Sequence, residues 1–303
     1  MKGTWILSAS ANNGSSDLHY DIVWKYGTSQ ATPAVAGAAA IIRQYFMEGY
    51  YYSGAQGIGP DPALYGFTPS GALIKAMLIA AAQPLSNIFQ SLNMEGDYGA
   101  THNKPYSIAN NGAVPSYDQG YGRVQLNRVL HNGDSSTNPL SLLVIGNFDS
   151  SGPHYAQLDT TSQSITYSFT TGSNPSSIKV VLAYTTPVPS AVSLSDRIVN
   201  RLTLTSSGQQ TLAQSAGSPY SSAIDPVSVI VISNPSPFHQ YSVTVTATSI
   251  SSPQPFSLVV VGDVIEFNSP PLSQSSRARA GPARVCAQSS GPRARTRATG
   301  STP

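Results

Sequence analysis

Gly27-Thr28-Ser29-Gln30-Ala31-Thr32-Pro33-Ala34-Val35-Ala36-Gly37-Ala38-Ala39-Ala40-Ile41-Ile42 is the stretch that decides how this chain is read. Gly27 allows a sharp entry, and Pro33 suits the first turn of a helix, where its missing N–H costs nothing. The residues behind it are almost all small and apolar, which predicts a mostly buried helix over about 32–46. The Ser29 hydroxyl then stands at the positive end of that helix, where backbone N–H groups can face an oxyanion. A nucleophilic serine is presented in this way. The plainer use of the same residues is a Gly-Thr-Ser cap on a core helix.

From Gly27 to Gly37 the string resembles the serine motif of the subtilisin-like serine proteases, Gly-Thr-Ser-x-Ala-x-Pro-x-Val-Ala-Gly, and every fixed position is met. Eight fixed residues matched in an eleven-residue pattern, followed by an Ala/Gly helix, favour the nucleophile over the cap. The resemblance implies polypeptide substrates, Ser29 as the catalytic nucleophile, and the Thr28 hydroxyl beside the oxyanion, with the Ser29 N–H as the other local donor. Gln30 stands where many relatives carry methionine; it cannot form a sulfoxide, so the site should resist oxidative inactivation.

In that family the aspartate, the histidine and the oxyanion asparagine all precede the serine. Only 28 residues precede Ser29, and no His-Gly-Thr-His, Asp-Thr-Gly or Asp-Ser-Gly string occurs. Gly3-Thr4-Trp5-Ile6-Leu7-Ser8-Ala9 resembles the family's strand that follows the asparagine, which places that asparagine before Met1. The chain is therefore expected to be the C-terminal portion of a subtilisin-like enzyme. Asp17, His19 and Asp21 are the local residue types from which a triad with Ser29 could be built. They sit in a polar segment after a Gly/Ser loop, and solvation is the better reading of them. His102, His131, His154 and His239 share no metal-binding spacing or acidic partners and receive no role.

The fold class expected is α/β: a partial subtilisin-like domain over residues 1–133 with a parallel sheet and helices, then an antiparallel β-sandwich over 140–267, then a disordered tail over 268–303. Residues 49–69 read as loop. Thr68-Pro69-Ser70 offers a cap, and Leu73, Ile74, Met77, Leu78 and Ala81 recur at helical spacing until Pro84. Pro69-Ser70-Gly71-Ala72-Leu73-Ile74-Lys75-Ala76-Met77-Leu78 is similar to the scaffold helix beside the family's serine helix. Residues 85–114 lack a period and read as a surface insertion. Gln119-Gly120-Tyr121-Gly122-Arg123-Val124 resembles the turn that opens the family's closing helix, expected here over about 125–130.

Beyond residue 140, seven short segments at 141–145, 163–170, 178–184, 201–205, 228–233, 241–248 and 256–261 alternate as strands do, with turn residues between them. They are expected to fold by themselves. Their order resembles the C-terminal sandwich of some subtilisin-like proteases, some of which bind calcium there. In Val199-Asn200-Arg201-Leu202-Thr203-Leu204 the positions wanted for acids hold Arg201 and Thr203, so calcium is possible by family but not supported by these residues, and no cofactor is expected.

Composition narrows the partners. Apolar residues make up 40% and charged ones 10%, a globular balance. The formal charge of +2 misleads, because Arg277, Arg279, Arg284, Arg293, Arg295 and Arg297 crowd the tail; without them ten basic residues face fourteen acidic ones, a net charge of −4. The body gives no reason to expect nucleic acid. The longest apolar run, 34–42, is half of what a membrane span needs, and no signal peptide is recognisable; a secreted or endomembrane location is implied by family alone. Cys286 is the single cysteine, so no internal disulfide exists.

The function expected is serine endopeptidase, with this chain by itself inactive for want of its histidine and aspartate. The alternative is a non-catalytic β-sandwich interaction module carrying an inert protease remnant. A fragment that is completed by a separate N-terminal half of the catalytic domain is a third reading.

Overall fold

The computed structural model describes residues 6–9, 22–25, 27–53, 66–84, 115, 120–130, 141–146, 156–189, 198–207, 211–212 and 225–268. The expectations for Asp17, His19 and Asp21, the insertion at 85–114, His102, His131, His154 and the tail beyond 268 lie outside these residues.

The chain begins with strands β1 (Ile6–Ala9) and β2 (Ile22–Lys25) and continues into helices α1 (Thr28–Met47), α2 (Tyr50–Ser53) and α3 (Gly71–Ala81). Ser70 caps α3, its hydroxyl accepting from the Leu73 N–H at 3.0 Å. Two short strands, β3 (Ala82–Gln83) and β4 (Arg123–Val124), then pair antiparallel. Gly122 makes that pairing possible: its φ is +105°, and a Cβ there would run into the Gln83 carbonyl. The closing helix expected over 125–130 is only a 3-10 turn, Leu126–Arg128. So short a segment cannot repay helix nucleation by itself.

The remainder is β5 (Ser141–Ile145), β6 (Gln157–Leu158), β7 (Ser164–Thr171), β8 (Ser177–Tyr184), β9 (Arg201–Ser207), β10 (Thr211–Leu212), β11 (Val227–Ser233), β12 (Gln240–Ser249), β13 (Gln254–Gly262) and β14 (Val264–Asn268). All seven alternating segments are strands. Six strands form one sheet in the order β10-β11-β8-β13-β5, with β6 paired to the start of β13; four form another, β14-β7-β12-β9.

Period-two alternation decides what each face touches. Leu143, Ile145, Val180, Leu182, Ile230, Ile232, Leu258 and Val260 of the six-stranded sheet share one core with Tyr167, Phe169, Leu202, Leu204, Tyr241, Val243 and Val245 of the four-stranded sheet. The intervening residues Leu142, Val144, Val181, Ala183, Val227, Val259 and Val261 share a second core with Leu73, Ala76, Met77 and Ala80 of α3 and Ile42, Tyr45 and Phe46 of α1. The six-stranded sheet is therefore buried on both sides, and the helices lie on its outer face.

The α/β expectation is overturned here. Every strand pair among the described residues is antiparallel, β1 with β2 included, in register from Ile6↔Lys25 to Ala9↔Ile22. No parallel sheet underlies α1 among them. An apolar stripe on a helix states that a face must be covered and is silent on what covers it. The cover found is an antiparallel sheet whose central strands are apolar at successive positions, as in Val180-Val181-Leu182-Ala183 and Leu258-Val259-Val260-Val261. Such runs mark strands with two buried faces.

Candidate active site

Helix α1 starts earlier than its sequence predicts. Gly27 is the N-cap with φ +139°, and Thr28 and Ser29 are already the first two helical residues. Gln30 N–H and Ala31 N–H both reach back to the Gly27 carbonyl, at 3.2 and 3.4 Å. The N–H groups of Thr28 and Ser29 thus have no acceptor within the helix, as at any helix start, and they add to its positive end. No side chain caps this end. Thr28 and Ser29 are both exposed.

Pro33 falls in the second turn, not the first. Having no N–H, it leaves the Ser29 carbonyl without its usual partner four residues on and crowds that carbonyl sterically. The Thr32 hydroxyl donates to the Thr28 carbonyl at 2.8 Å, tightening the same turn. The Thr28 carbonyl is thus held by the Thr32 side chain while the Ser29 carbonyl lacks its helix partner.

The expected burial of α1 is also corrected. Only Ala38, Ile42, Tyr45 and Phe46 are buried, a stripe at helical spacing, whereas Ile41 is 50% and Met47 is 47% exposed. Alanine and glycine carry so little apolar area that leaving them in water costs little, so an apolar composition all round did not compel burial. The anchored end of α1 is its C-terminal one. There Phe46 lies 4.8 Å from Phe67 and 5.5 Å from Tyr51 between ring centroids, and the Tyr51 hydroxyl accepts from the Val144 N–H of β5 at 3.0 Å.

Among the described residues nothing hydrogen-bonds the Ser29 hydroxyl. His239, the one described histidine, lies instead at the entry to β12, its N–H donating to the Thr171 hydroxyl and its ring 4.9 Å from Tyr241. Asn200, in the stretch weighed for calcium, is fully buried. Its amide oxygen accepts from Ser251 N–H at 2.8 Å and its nitrogen donates to the Ser252 carbonyl and to Gln254 Oε1. Among the described residues no three acidic, histidine or cysteine side chains gather as metal ligands.

The polar groups that the sequence did not single out fasten the helical segment to the sheets. Lys75 of α3 pairs with Asp225 at 3.2 Å, and the Tyr121 hydroxyl reaches the same carboxylate at 3.4 Å. Lys179 of β8 donates to the Ala82 carbonyl at 2.5 Å. Burial, reinforced by the Arg128 guanidinium, pushes the Lys179 ammonium down to about 8. The signal for Lys179 was available as a lone cation inside the apolar run Ile178-Lys179-Val180.

The motif at Gly27–Gly37 and the helix it opens lie within a longer match. Residues 3–122 match the model of the subtilase family. The resemblance to subtilisin-like serine proteases read from the sequence is borne out. The chain is also similar to three proteins of Dictyostelium discoideum. It is 28% identical to the serine protease/ABC transporter B family protein tagD over 72% of this chain and 13% of that protein. For tagA of the same description the figures are 25%, 77% and 12%, and for tagB 28%, 88% and 15%. The chain thus spans about an eighth of the length of the curated relatives it matches. Among the described residues no helix is long and apolar enough to cross a membrane.

Proposed function

We propose that this chain carries the nucleophile of a subtilisin-like serine endopeptidase acting on polypeptides. The observation that supports this most is Ser29 itself: an exposed serine as the second residue of a helix, with two backbone N–H groups beside it that no carbonyl of the helix accepts from, within the residues that match the family's model. In the reaction the Ser29 hydroxyl attacks the scissile carbonyl carbon and its proton passes to a histidine. That histidine and the aspartate that orients it are not supplied by the described residues. The developing oxyanion is met by the Ser29 N–H and the Thr28 hydroxyl, with the positive helix end behind them. The described residues supply no proton acceptor to this site, and slow acylation is therefore the behaviour this reading expects of the chain by itself.

A fluorophosphonate probe with mass-spectrometric mapping tests the reading. Slow labelling concentrated at Ser29, accelerated by added imidazole and absent in Ser29→Ala, is the expected result. Labelling spread over the chain's many serines with no preference for Ser29, with or without imidazole, would leave the inert-remnant reading standing and sink this one.

A further inference from the structure

Gly27 leaves a vacant notch at the start of α1. A Cβ built on it would stand 3.0 Å from Gln30 Oε1 and 3.9 Å from the Ser29 nitrogen, and among the described residues no other atom beyond its chain neighbours comes within 4 Å. The point is empty because residue 27 is glycine, which also tolerates the φ of +139° found there. A single position therefore borders both the backbone N–H of Ser29 and the carboxamide of the residue that follows it. The first turn of α1 contains no acidic side chain, so the positive end of the helix is not neutralised from within.

Gln30 reaches the notch because helical side chains lean toward the N-terminus, which carries the third residue of α1 back over its cap. It is half-buried where Gly27, Thr28 and Ser29 are exposed. Gln44, Gln83, Gln163 and Gln254 all hold hydrogen-bond partners, whereas among the described residues the Gln30 carboxamide has none. Its oxygen faces the notch, the favourable sense beside a positive helix end. The last torsion of glutamine is broad and roughly two-fold, so a half-turn presents Nε2–H to the same point at little cost.

We propose that Gln30 is a catalytic residue, a side-chain donor to the oxyanion. When the Ser29 oxygen adds to the scissile carbonyl carbon and the C=O electron pair moves onto oxygen, that oxygen settles at the Gly27 notch. There it accepts from Gln30 Nε2–H, the Ser29 N–H and the Thr28 hydroxyl. The proposal rests on the reading of Ser29 as the nucleophile and adds a third donor to it. Methionine, which many relatives carry at this position, has no N–H to give. A purely structural use of glutamine as the third residue of a helix, the capping box, is served as well or better by glutamate. The two uses therefore separate on a single substitution.

The rate of fluorophosphonate labelling at Ser29 of the full chain, with imidazole present, tests it. In that reaction the Oγ–P bond forms, the P–F bond breaks with loss of fluoride, and imidazole takes the proton. Gln30→Met removes the donor at similar length and should slow labelling about tenfold, less than the loss at a water-excluded site because this one is open. Gln30→Glu has the same shape, no donor and a negative charge; it should slow labelling further while its denaturant midpoint stays at or above the parent's. Ala40→Glu, at an exposed position of α1, adds the same charge away from the notch and should leave the rate within about twofold. The proposal is overturned if Gln30→Met labels at the parent's rate. It is equally overturned if labelling follows the denaturant midpoints, with Gln30→Glu at or above the parent in both, which would make Gln30 a cap. Gln30→Met carries no charge and so decides the question whichever way Gln30→Glu folds. No preference for Ser29 in the parent would sink the nucleophile reading and this proposal together, whereas Ser29 labelling that Gln30→Met leaves untouched sinks this one alone.

Discussion

Helix α1 and strand β13 are both apolar to the eye, yet one stands half in water and the other is buried along nearly its whole length. The difference lies in side-chain size and in what is stacked on either side. Strand β13 places Leu258 and Val260 against the four-stranded sheet and Val259 and Val261 against the helices. Helix α1 buries only Ala38, Ile42, Tyr45 and Phe46. Its N-terminal half, which carries Ser29, is held by backbone and not by packing. A reactive serine belongs on such an end, because it must admit substrate, and the packed end supplies the rigidity.

The comparison breaks or holds most visibly on paired truncations. Phe169 is fully buried between the two sheets and stacks on Tyr241 at 6.1 Å. Phe169→Ala should cost about 3–5 kcal/mol, from lost transfer energy and the cavity left behind. Ile41→Ala, on the open side of α1, should cost no more than about 0.5 kcal/mol. Denaturant unfolding monitored by circular dichroism measures both. Equal costs would mean that α1 is covered by more than the described residues show.

How much of this was legible follows from what kind of information each residue carries. The seven long strands of the sheets were readable because alternation of the type Tyr241-Ser242-Val243-Thr244-Val245-Thr246 has one structural solution. Helix α3 was readable from Ser70 and the spacing of Leu73, Met77 and Ala81. The serine motif was readable because eight of its eleven positions are individually constrained. The parallel sheet was read wrongly because it came from resemblance, and nothing in the α1 residues specifies their cover. The doubly buried sheet was visible in Val180-Val181-Leu182-Ala183, a run without alternation, and the reading of 178–184 as one more alternating strand passed over it. Strands β6, β10 and β14 are too short or irregular for a period to show. The clasps through Lys179 and Asp225 depend on contacts between residues 97 and 150 positions apart, which local pattern cannot reveal.

The join between the two regions sharpens with pH. Lys179 is held down to about 8 in the folded protein, against about 10.4 in an unfolded chain. Below pH 8 the ammonium is charged in both states and its desolvation opposes folding; between pH 8 and about 10 the unfolded chain holds the extra proton, so stability rises with pH. Lys179 is only half-buried, so solvent screening reduces the effect to on the order of 1–2 kcal/mol. Lys179→Met should raise stability at pH 7 by a similar amount and flatten the rise between pH 7.5 and 9.5. Melting temperature against pH for the two proteins is the measurement. An unchanged slope in the variant would show that Lys179 is not what titrates at this join.

The smallest expected effect bears most directly on Ser29. Its side chain is exposed, it makes no capping hydrogen bond, and Gly27 occupies the cap position. Ser29→Ala should therefore leave stability within about 0.5 kcal/mol of the parent, as surface changes away from caps and cores do. A true capping serine replaced by alanine costs typically about 1 kcal/mol, a difference that denaturant midpoints resolve. A stability loss of that size would identify Ser29 as a structural cap and remove the reason for treating its hydroxyl as spare. A silent Ser29→Ala leaves a motif serine that the fold does not use, and in the same variant the Ser29-dependent fluorophosphonate signal must disappear. Fold and chemistry then separate at a single side chain, which is the behaviour of a nucleophile and not of a helix start.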